Sequence, residues 1–175
     1  MMNEDPTNLR ASGRAAGLAQ FDAWPAPLHA WFDGTALADK TGFTASLVTC
    51  NVDGRIGTSL LGIGELYAAG PRTLRFALWG QSRAAGALAS QPRAALTFVF
   101  DAAFYQVQLD VAPLSSDAAR AAGLVCFDGT IAAGEVQRVT YARLEHGIGF
   151  SLTDDVRDAV LKRWEKQVRI LAQAG

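Results

Sequence analysis

Two stretches of this sequence decide its fold: DGRIGTSLLG at residues 53–62 and LRFALWGQSRAAGALASQPRAALTFVF at residues 74–100. The first begins at the Asp53-Gly54 turn, just after the β-branched and apolar run Phe43–Cys50. Glycine takes a positive φ without strain, so Asp-Gly between two such runs is a strong hairpin signal. We therefore expect Ile56–Leu66 to return antiparallel to Phe43–Cys50.

The second stretch predicts a strand, a short helix and another strand. Alternating apolar residues mark a strand at Thr73–Trp79. The alanine-rich run Ser82–Ser90 stops before Pro92 and predicts a helix whose N-cap is Ser82. Ala94–Phe100 is almost continuously apolar and predicts a buried strand.

The remaining segments complete a mainly β fold with flanking helices. They are a loose arm or marginal helix at 1–20, one or two short helices at 21–40, an alternating strand at 105–114, a short helix at 116–125, one strand or hairpin at 136–150 with a bend near His146-Gly147, and an amphipathic helix at 154–173. Six short strands with interleaved helices favour a six-stranded antiparallel split β-barrel. We expect it to be a single domain spanning 1–175.

Composition narrows the function classes. The chain has 175 residues and a net charge of -1, which offers no long-range attraction to nucleic acid or to an anionic membrane. No apolar run is long enough to cross a bilayer, and the N-terminus has no apolar core of a signal peptide, so we expect a cytoplasmic protein. The two cysteines stand far apart, and no histidine or cysteine spacing predicts a metal site.

Ser82 and Arg83 are the most informative candidates for binding chemistry. The first N–H groups of a helix have no intrahelical partner, and the helix dipole adds positive potential at that end. A hydroxyl and a guanidinium at that position have the chemistry to hold a phosphate group. The alternative is an ordinary serine N-cap followed by a solvated arginine, and on local sequence alone this alternative is favoured.

The order of these motifs resembles the pyridoxamine 5'-phosphate oxidase-like, FMN-binding split-barrel superfamily. The resemblance rests on Asp53-Gly54-Arg55 at a hairpin turn, Ser82-Arg83 at a helix start and Gln91-Pro92-Arg93 before an apolar strand, and it covers roughly residues 43–112. It implies a homodimer that binds FMN and acts on a small-molecule substrate as an oxidoreductase. The substrate itself is not identified.

The resemblance also implies roles for individual residues. Ser82 and Arg83 would hold the FMN phosphate. The other implied cofactor contacts are Thr58, Ser59, Leu60 and Leu61 along the flavin ring, and Trp79 and Gln81 beside the ring or the ribityl chain. No catalytic acid or base stands out.

Ala84 departs from the family pattern, which has a lysine after Ser-Arg. A lost charge-assisted hydrogen bond costs about 1.5–3 kcal/mol, or roughly ten- to a hundredfold in affinity. Two alternatives therefore stay open. The first is a non-catalytic binding or sensor protein with weak or no flavin; the second is a heme-binding relative, for which His29 and His146 are the only histidine ligands available.

Overall fold

A computed structural model describes residues 17–175 and contains one extended antiparallel sheet. Its strands are β1 (Leu18–Phe21), β2 (Thr44–Cys50), β3 (Ile56–Gly62), β4 (Leu66–Gly70), β5 (Thr73–Trp79), β6 (Arg93–Phe100), β7 (Ala103–Leu114) and β8 (Leu124–Gln137). Its helices are α1 (Ala26–Trp31), α2 (Arg83–Ser90), α3 (Asp117–Ala121) and α4 (Asp154–Gln173), with 3-10 turns at Leu37–Lys40 and Ile63–Glu65.

The sheet runs in the order β3-β2-β6-β7-β8-β5-β4, and β1 adds to it by pairing with β8. The mainly β, antiparallel architecture with flanking helices is therefore confirmed. The strand count is not, because the main sheet has seven strands rather than six. The difference arises where the return strand of the predicted hairpin ends at Gly62, and a 3-10 turn separates it from β4.

The hairpin between β2 and β3 forms as predicted. Cys50 pairs with Ile56 and Thr44 with Gly62, so the register follows from a turn at residues 51–55. Gly54 has φ +80°, the left-handed conformation that favours glycine. β3 pairs only with β2 and therefore forms one edge of the sheet.

The third quarter of the chain differs from the prediction. The predicted helix at 116–125 is only the five residues of α3, and β8 begins at Leu124. The strand or hairpin predicted at 136–150 is wrong, because β8 ends at Gln137 and residues 138–153 contain no helix or strand. Instead, β8 is a 14-residue strand hydrogen-bonded to both β5 and β7.

Glycine at inward positions explains why β8 lacks a clear apolar alternation. Gly134 is buried, and a Cβ at that position would lie 2.2 Å from the ring of Phe21. The phenyl group fills the space that a side chain on β8 would otherwise take. The apolar group at this point of the core thus comes from β1, and the sequence of β8 does not display it.

The core lies inside the curl of the sheet and is rich in aromatic rings. Phe98 packs against Phe32, Phe43 and Tyr105 with ring centroids 5.2–5.8 Å apart. Within residues 17–175, no helix has the length and apolar character needed to span a membrane. The predicted arm at 1–20 falls almost wholly outside the described residues, apart from the first residues of β1.

Helix α4 packs its apolar stripe against this core. Trp164, Val168 and Leu171 are buried, whereas Val156, in the first turn, is exposed. Arg75 on β5 donates to the carbonyl oxygen of Leu171 at 3.0 Å, so a cation meets the negative end of the helix. The last turn of α4 is thereby fixed to the sheet.

Candidate functional site

The N-terminus of α2 has the local structure that the sequence predicts. Ser82 is the N-cap, and its Oγ accepts a hydrogen bond from the N–H of Ala85 at 3.2 Å. The first backbone bond of the helix runs from Gly86 N–H to the Ser82 carbonyl oxygen. The N–H groups of Arg83 and Ala84 precede that bond and have no acceptor within the helix.

Arg83 lies beside the hairpin turn. It lines a groove of 320 Å³ that runs between residues 51–53 and the exposed face of α2. Asp53 lines the same groove, but its carboxylate is engaged 3.4 Å from Nε of Arg55. Within the described part of the chain no carboxylate forms an ion pair with Arg83. Its charge is therefore available to a ligand in the groove.

Ala84 does not line this groove. It is 3% exposed and belongs to the main hydrophobic core. A lysine at this position would have to run its stem out of the core to bring its ammonium to the phosphate. The chain thus has one cation fewer at this end of α2 than a chain with lysine at position 84 would have.

The four β3 residues predicted to follow the flavin ring divide between the two faces of the strand. Thr58 and Leu60 are exposed, Ser59 is half-buried and Leu61 is buried in the core. Because β3 is an edge strand, half of its backbone N–H and C=O groups point away from β2. A planar ring lying along this edge would find unpaired donors and acceptors.

Trp79 and Gln81 flank the turn that enters α2. Trp79 ends β5, is 54% exposed and lies beside Gly123 at the start of β8. Gln81 is exposed in the turn. Helix α2 itself packs against β2 and β3, and it is the element that links this turn to the predicted flavin strand.

Sequence reasoning missed a second group of residues, on the 3-10 turn after β3. The Glu65 carboxylate accepts the N–H of Gly62 at 2.6 Å and lines a cavity together with Arg163 and Trp164. Burial raises the pKa of Glu65, an effect that the bond from Gly62 and the charge of Arg163 reduce. The only sequence signal was the Gly62-Ile-Gly64-Glu65 run, which was too short for a nucleotide-binding motif.

A larger cavity of 710 Å³ lies on the other side of α2, between that helix, α3 and the start of β8. Its walls are mostly apolar and include Leu88, Leu124 and Cys126. Burial raises the pKa of the Cys126 thiol, although the nearby charge of Arg75 opposes the shift. The thiol therefore behaves as a small apolar group at neutral pH.

The two histidines lie in different settings. His29 is half-buried on α1. His146 is exposed in the segment after β8, with Nδ1 3.1 Å from the carbonyl oxygen of Gly147.

Comparison with known proteins gives structural similarity only. No family model and no curated protein matches the sequence. Among solved structures, 77 chains match, and many are pyridoxamine 5'-phosphate oxidase-like, FMN-binding proteins.

Three of these structures illustrate the range. A putative pyridoxamine 5'-phosphate oxidase from Lactobacillus delbrueckii has a TM-score of 0.49 and 14% identity, covering 67% of this chain and 96% of its own. An FMN-binding protein from Syntrophomonas wolfei has a TM-score of 0.48 and 11% identity, with coverages of 64% and 88%. A heme storage protein from Vibrio cholerae has a TM-score of 0.44 and 11% identity, with coverages of 67% and 94%. At these values the similarities carry no argument about a ligand.

Proposed function

We propose that this protein binds FMN and acts as a flavin-dependent oxidoreductase on a small molecule. Ser82 and Arg83 hold the phosphate, and the β3 residues Thr58, Ser59, Leu60 and Leu61 follow the isoalloxazine ring. Trp79 and Gln81 border the ring or the ribityl chain. The flavin, when bound, supplies the capacity to accept or donate a hydride.

The observation that carries this proposal is the unpaired Arg83 at the start of α2. Its guanidinium shares a groove with the exposed face of the helix, and two backbone N–H groups at the same helix end are free of intrahelical bonds. A phosphate monoester matches this set, because it offers several acceptor oxygens and negative charge. The Ser82 hydroxyl adds a donor while its oxygen continues to cap the helix.

The chain's own residues position the ring and exclude water from one side of it. β3 offers backbone hydrogen bonds along its free edge, and the exposed side chain of Leu60 offers an apolar surface. No residue of β3 carries a general base, and the exposed carboxylate of Asp53 in the hairpin turn is paired with Arg55. The proposed role of the protein is therefore to bind and orient the ring, consistent with hydride transfer rather than hydrolysis.

The proposed assembly is a homodimer. Val52, Ile56 and Leu60 are between 54% and 75% exposed and lie together on the β2–β3 hairpin. Apolar side chains grouped at a sheet edge favour contact with a second protein surface. A second copy of this chain fits that role.

The second candidate function is a binding or sensor protein that keeps the barrel and binds flavin weakly or not at all. Ala84 favours it, since position 84 is committed to the core and contributes no charge to the phosphate site. Heme binding is a variant of this candidate, in which His146 on the exposed segment or His29 on α1 would supply the ligand.

Absorbance between about 300 and 600 nm, recorded while FMN is titrated into the purified protein, tests both candidates. We expect flavin bands that shift on binding and an affinity for FMN above that for riboflavin, which lacks the phosphate. Arg83→Ala should weaken FMN binding roughly ten- to a hundredfold and leave riboflavin binding unchanged. Arg93→Ala is the matched control, because Arg93 is an exposed arginine just beyond the same helix.

If the wild type and Arg83→Ala bound FMN with equal affinity, the FMN phosphate would not bind at this helix end. Absence of any flavin binding would leave the sensor candidate. A Soret band on adding hemin, lost in His146→Ala or His29→Ala, would favour the heme variant.

A further inference from the structure

A cavity of 340 Å³ lies beside the strand edge at which the flavin ring is proposed to bind. Leu60 and Gly62 belong to that edge strand and also line the cavity. They are two residues apart and therefore face the same side of the sheet. Thr44, which pairs with Gly62 across the hairpin, lines the cavity as well. The cavity thus lies on one face of the sheet, over the end of β3.

This placement puts the cavity against one face of a ring bound at the edge. The free N–H and C=O groups of an edge strand point outward, roughly in the plane of the sheet, whereas side chains stand perpendicular to that plane. A ring held by the β3 backbone would extend the sheet sideways. The side chain of Leu60 projects towards the cavity, so a molecule in the cavity would lie next to the face of the ring on that side.

The walls of the cavity are accessible and mostly apolar. Leu60, Ile148 and Phe150 are 54%, 58% and 40% exposed, so a ligand can reach their side chains. Phe150 packs edge-on against Trp164 with ring centroids 6.1 Å apart, and both residues line the cavity. The space has the size of a small-ligand site. A small aromatic group suits both this volume and these walls.

Two charged residues line the cavity in the described part of the chain, Glu65 and Arg163. Arg163 is exposed on α4 and forms no ion pair with a carboxylate of residues 17–175. Glu65 already accepts the Gly62 N–H at 2.6 Å, and burial raises its pKa against that bond and the charge of Arg163. Burial thus disfavours the charged form of Glu65, whereas a guanidinium stays charged. The cavity therefore favours an anionic group over a cationic one.

We propose that this cavity holds the substrate of the flavin reaction, and that the substrate is a small aromatic acid whose carboxylate binds Arg163. The inference rests on the proposed function, because only a ring along β3 makes a molecule in the cavity a substrate. A guanidinium binds a carboxylate through two parallel hydrogen bonds, which fixes the orientation of the acid. The aromatic body of the acid then packs against Phe150 and Leu60, next to the ring.

Three probes of the same planar shape separate the effects of charge: benzoate, benzamide and benzamidine. Each is titrated into flavin-free, ¹⁵N-labelled protein while the indole N–H signals are followed by NMR, and Trp164→Phe identifies the Trp164 signal. We expect a saturable shift of that signal. Benzoate should bind more tightly than neutral benzamide, and the cation benzamidine should bind most weakly.

Arg163→Gln removes the cation and keeps a polar side chain. It should weaken benzoate binding roughly three- to tenfold and leave benzamide binding unchanged. Lys162→Gln is the matched control, because Lys162 is an exposed cation on the same helix and does not line the cavity. Both substitutions replace exposed side chains, so both variants should fold like the wild type.

The link to the flavin is tested on protein saturated with FMN. Benzoate should then shift the flavin absorption bands, and Arg163→Gln should raise the benzoate concentration that this requires by the same factor. An FMN titration without benzoate tests the proposed function by itself. Protein that binds no FMN but binds benzoate through Arg163 would refute the flavin proposal and support the carboxylate site.

Equal affinity of the wild type and Arg163→Gln for benzoate would overturn the inference, as would the absence of a saturable shift at Trp164. If benzamidine bound more tightly than benzoate, Glu65 rather than Arg163 would select the ligand, and the proposed substrate class would be wrong. If benzoate bound to the FMN-loaded protein without changing the flavin bands, the cavity would not be a substrate site.

Discussion

The substitution Gly64→Ala tests how α4 is seated on the barrel. Gly64 lies in the 3-10 turn after β3, where a Cβ would stand 2.0 Å from Cγ and 2.2 Å from Cβ of Trp164. Carbon atoms in ordinary contact are about 3.5–4.0 Å apart, so the turn and the helix would have to separate by roughly 1.5 Å. Trp164 is buried, and its own Cβ is part of the overlap, so no rotamer change relieves it.

We expect Gly64→Ala to lower the free energy of unfolding by about 2–3 kcal/mol, the upper range for overpacking a core. For a chain of this size that corresponds to a fall of about 4–12 °C in the unfolding temperature. Urea denaturation followed by circular dichroism gives the first value, and calorimetry gives the second. Trp164→Phe should fail to rescue the variant, because trimming the ring leaves the clashing Cβ in place.

Gly86→Ala is the matched control for this substitution. Gly86 is exposed inside α2, and a Cβ there would have no atom within 4 Å. Alanine is the better helix former, so this variant should gain about 0.5–1 kcal/mol. If Gly64→Ala unfolded within about 0.5 kcal/mol of the wild type, the close packing of Trp164 on this turn would be refuted.

Three further substitutions have defined outcomes. Ala102→Gly should raise the free energy of unfolding in urea by about 0.5–1 kcal/mol. Ala102 has φ +56° in the β6–β7 turn, beside Asp101 at +46°, and glycine adopts such a φ with less strain than alanine. Unchanged or lower stability would count against this turn geometry. Glu65→Gln keeps an oxygen for the Gly62 N–H and should remove a pH dependence of the free energy of unfolding. Since burial raises the pKa of Glu65, the wild type loses stability as pH rises from the ordinary carboxyl value to the raised one. Urea denaturation from about pH 4 to about pH 8 should show this slope only in the wild type. Ile56→Asp should shift the mass measured by light scattering from dimer to monomer without unfolding the protein, because Ile56 is 68% exposed on the edge strand; an unchanged mass would locate the contact elsewhere.

Local signals in the sequence were sufficient for the hairpin and for α2. Asp53-Gly54 fixes the turn because its geometry requires a positive φ at the glycine, and this requirement is readable without tertiary context. Ser82 caps α2 because its side chain reaches an N–H three residues along the same chain. In both cases the partner of the decisive group lies within a few residues.

β8 was missed because its decisive partners lie far away in sequence. A hydrophobic pattern reports only what a strand contributes to the core, and at Gly134 the contribution comes from Phe21, more than a hundred residues earlier. The bulge opposite Gln108 and Leu109 shifts the pairing with β7 and breaks the alternation further. Strands that are internal to a sheet and rich in small residues are therefore weakly marked in a sequence.

The same distinction separates the proposed phosphate site from the group around Glu65. The phosphate site proposed at Ser82 and Arg83 could be put forward from the sequence because a helix end concentrates its donors within one short stretch of chain. The setting of Glu65 could not be predicted, since Arg163 and Trp164, which line the same cavity, belong to α4 at the far end of the chain. Only when the chain folds does burial raise the pKa of the Glu65 carboxyl, against the bond from the Gly62 N–H and the charge of Arg163.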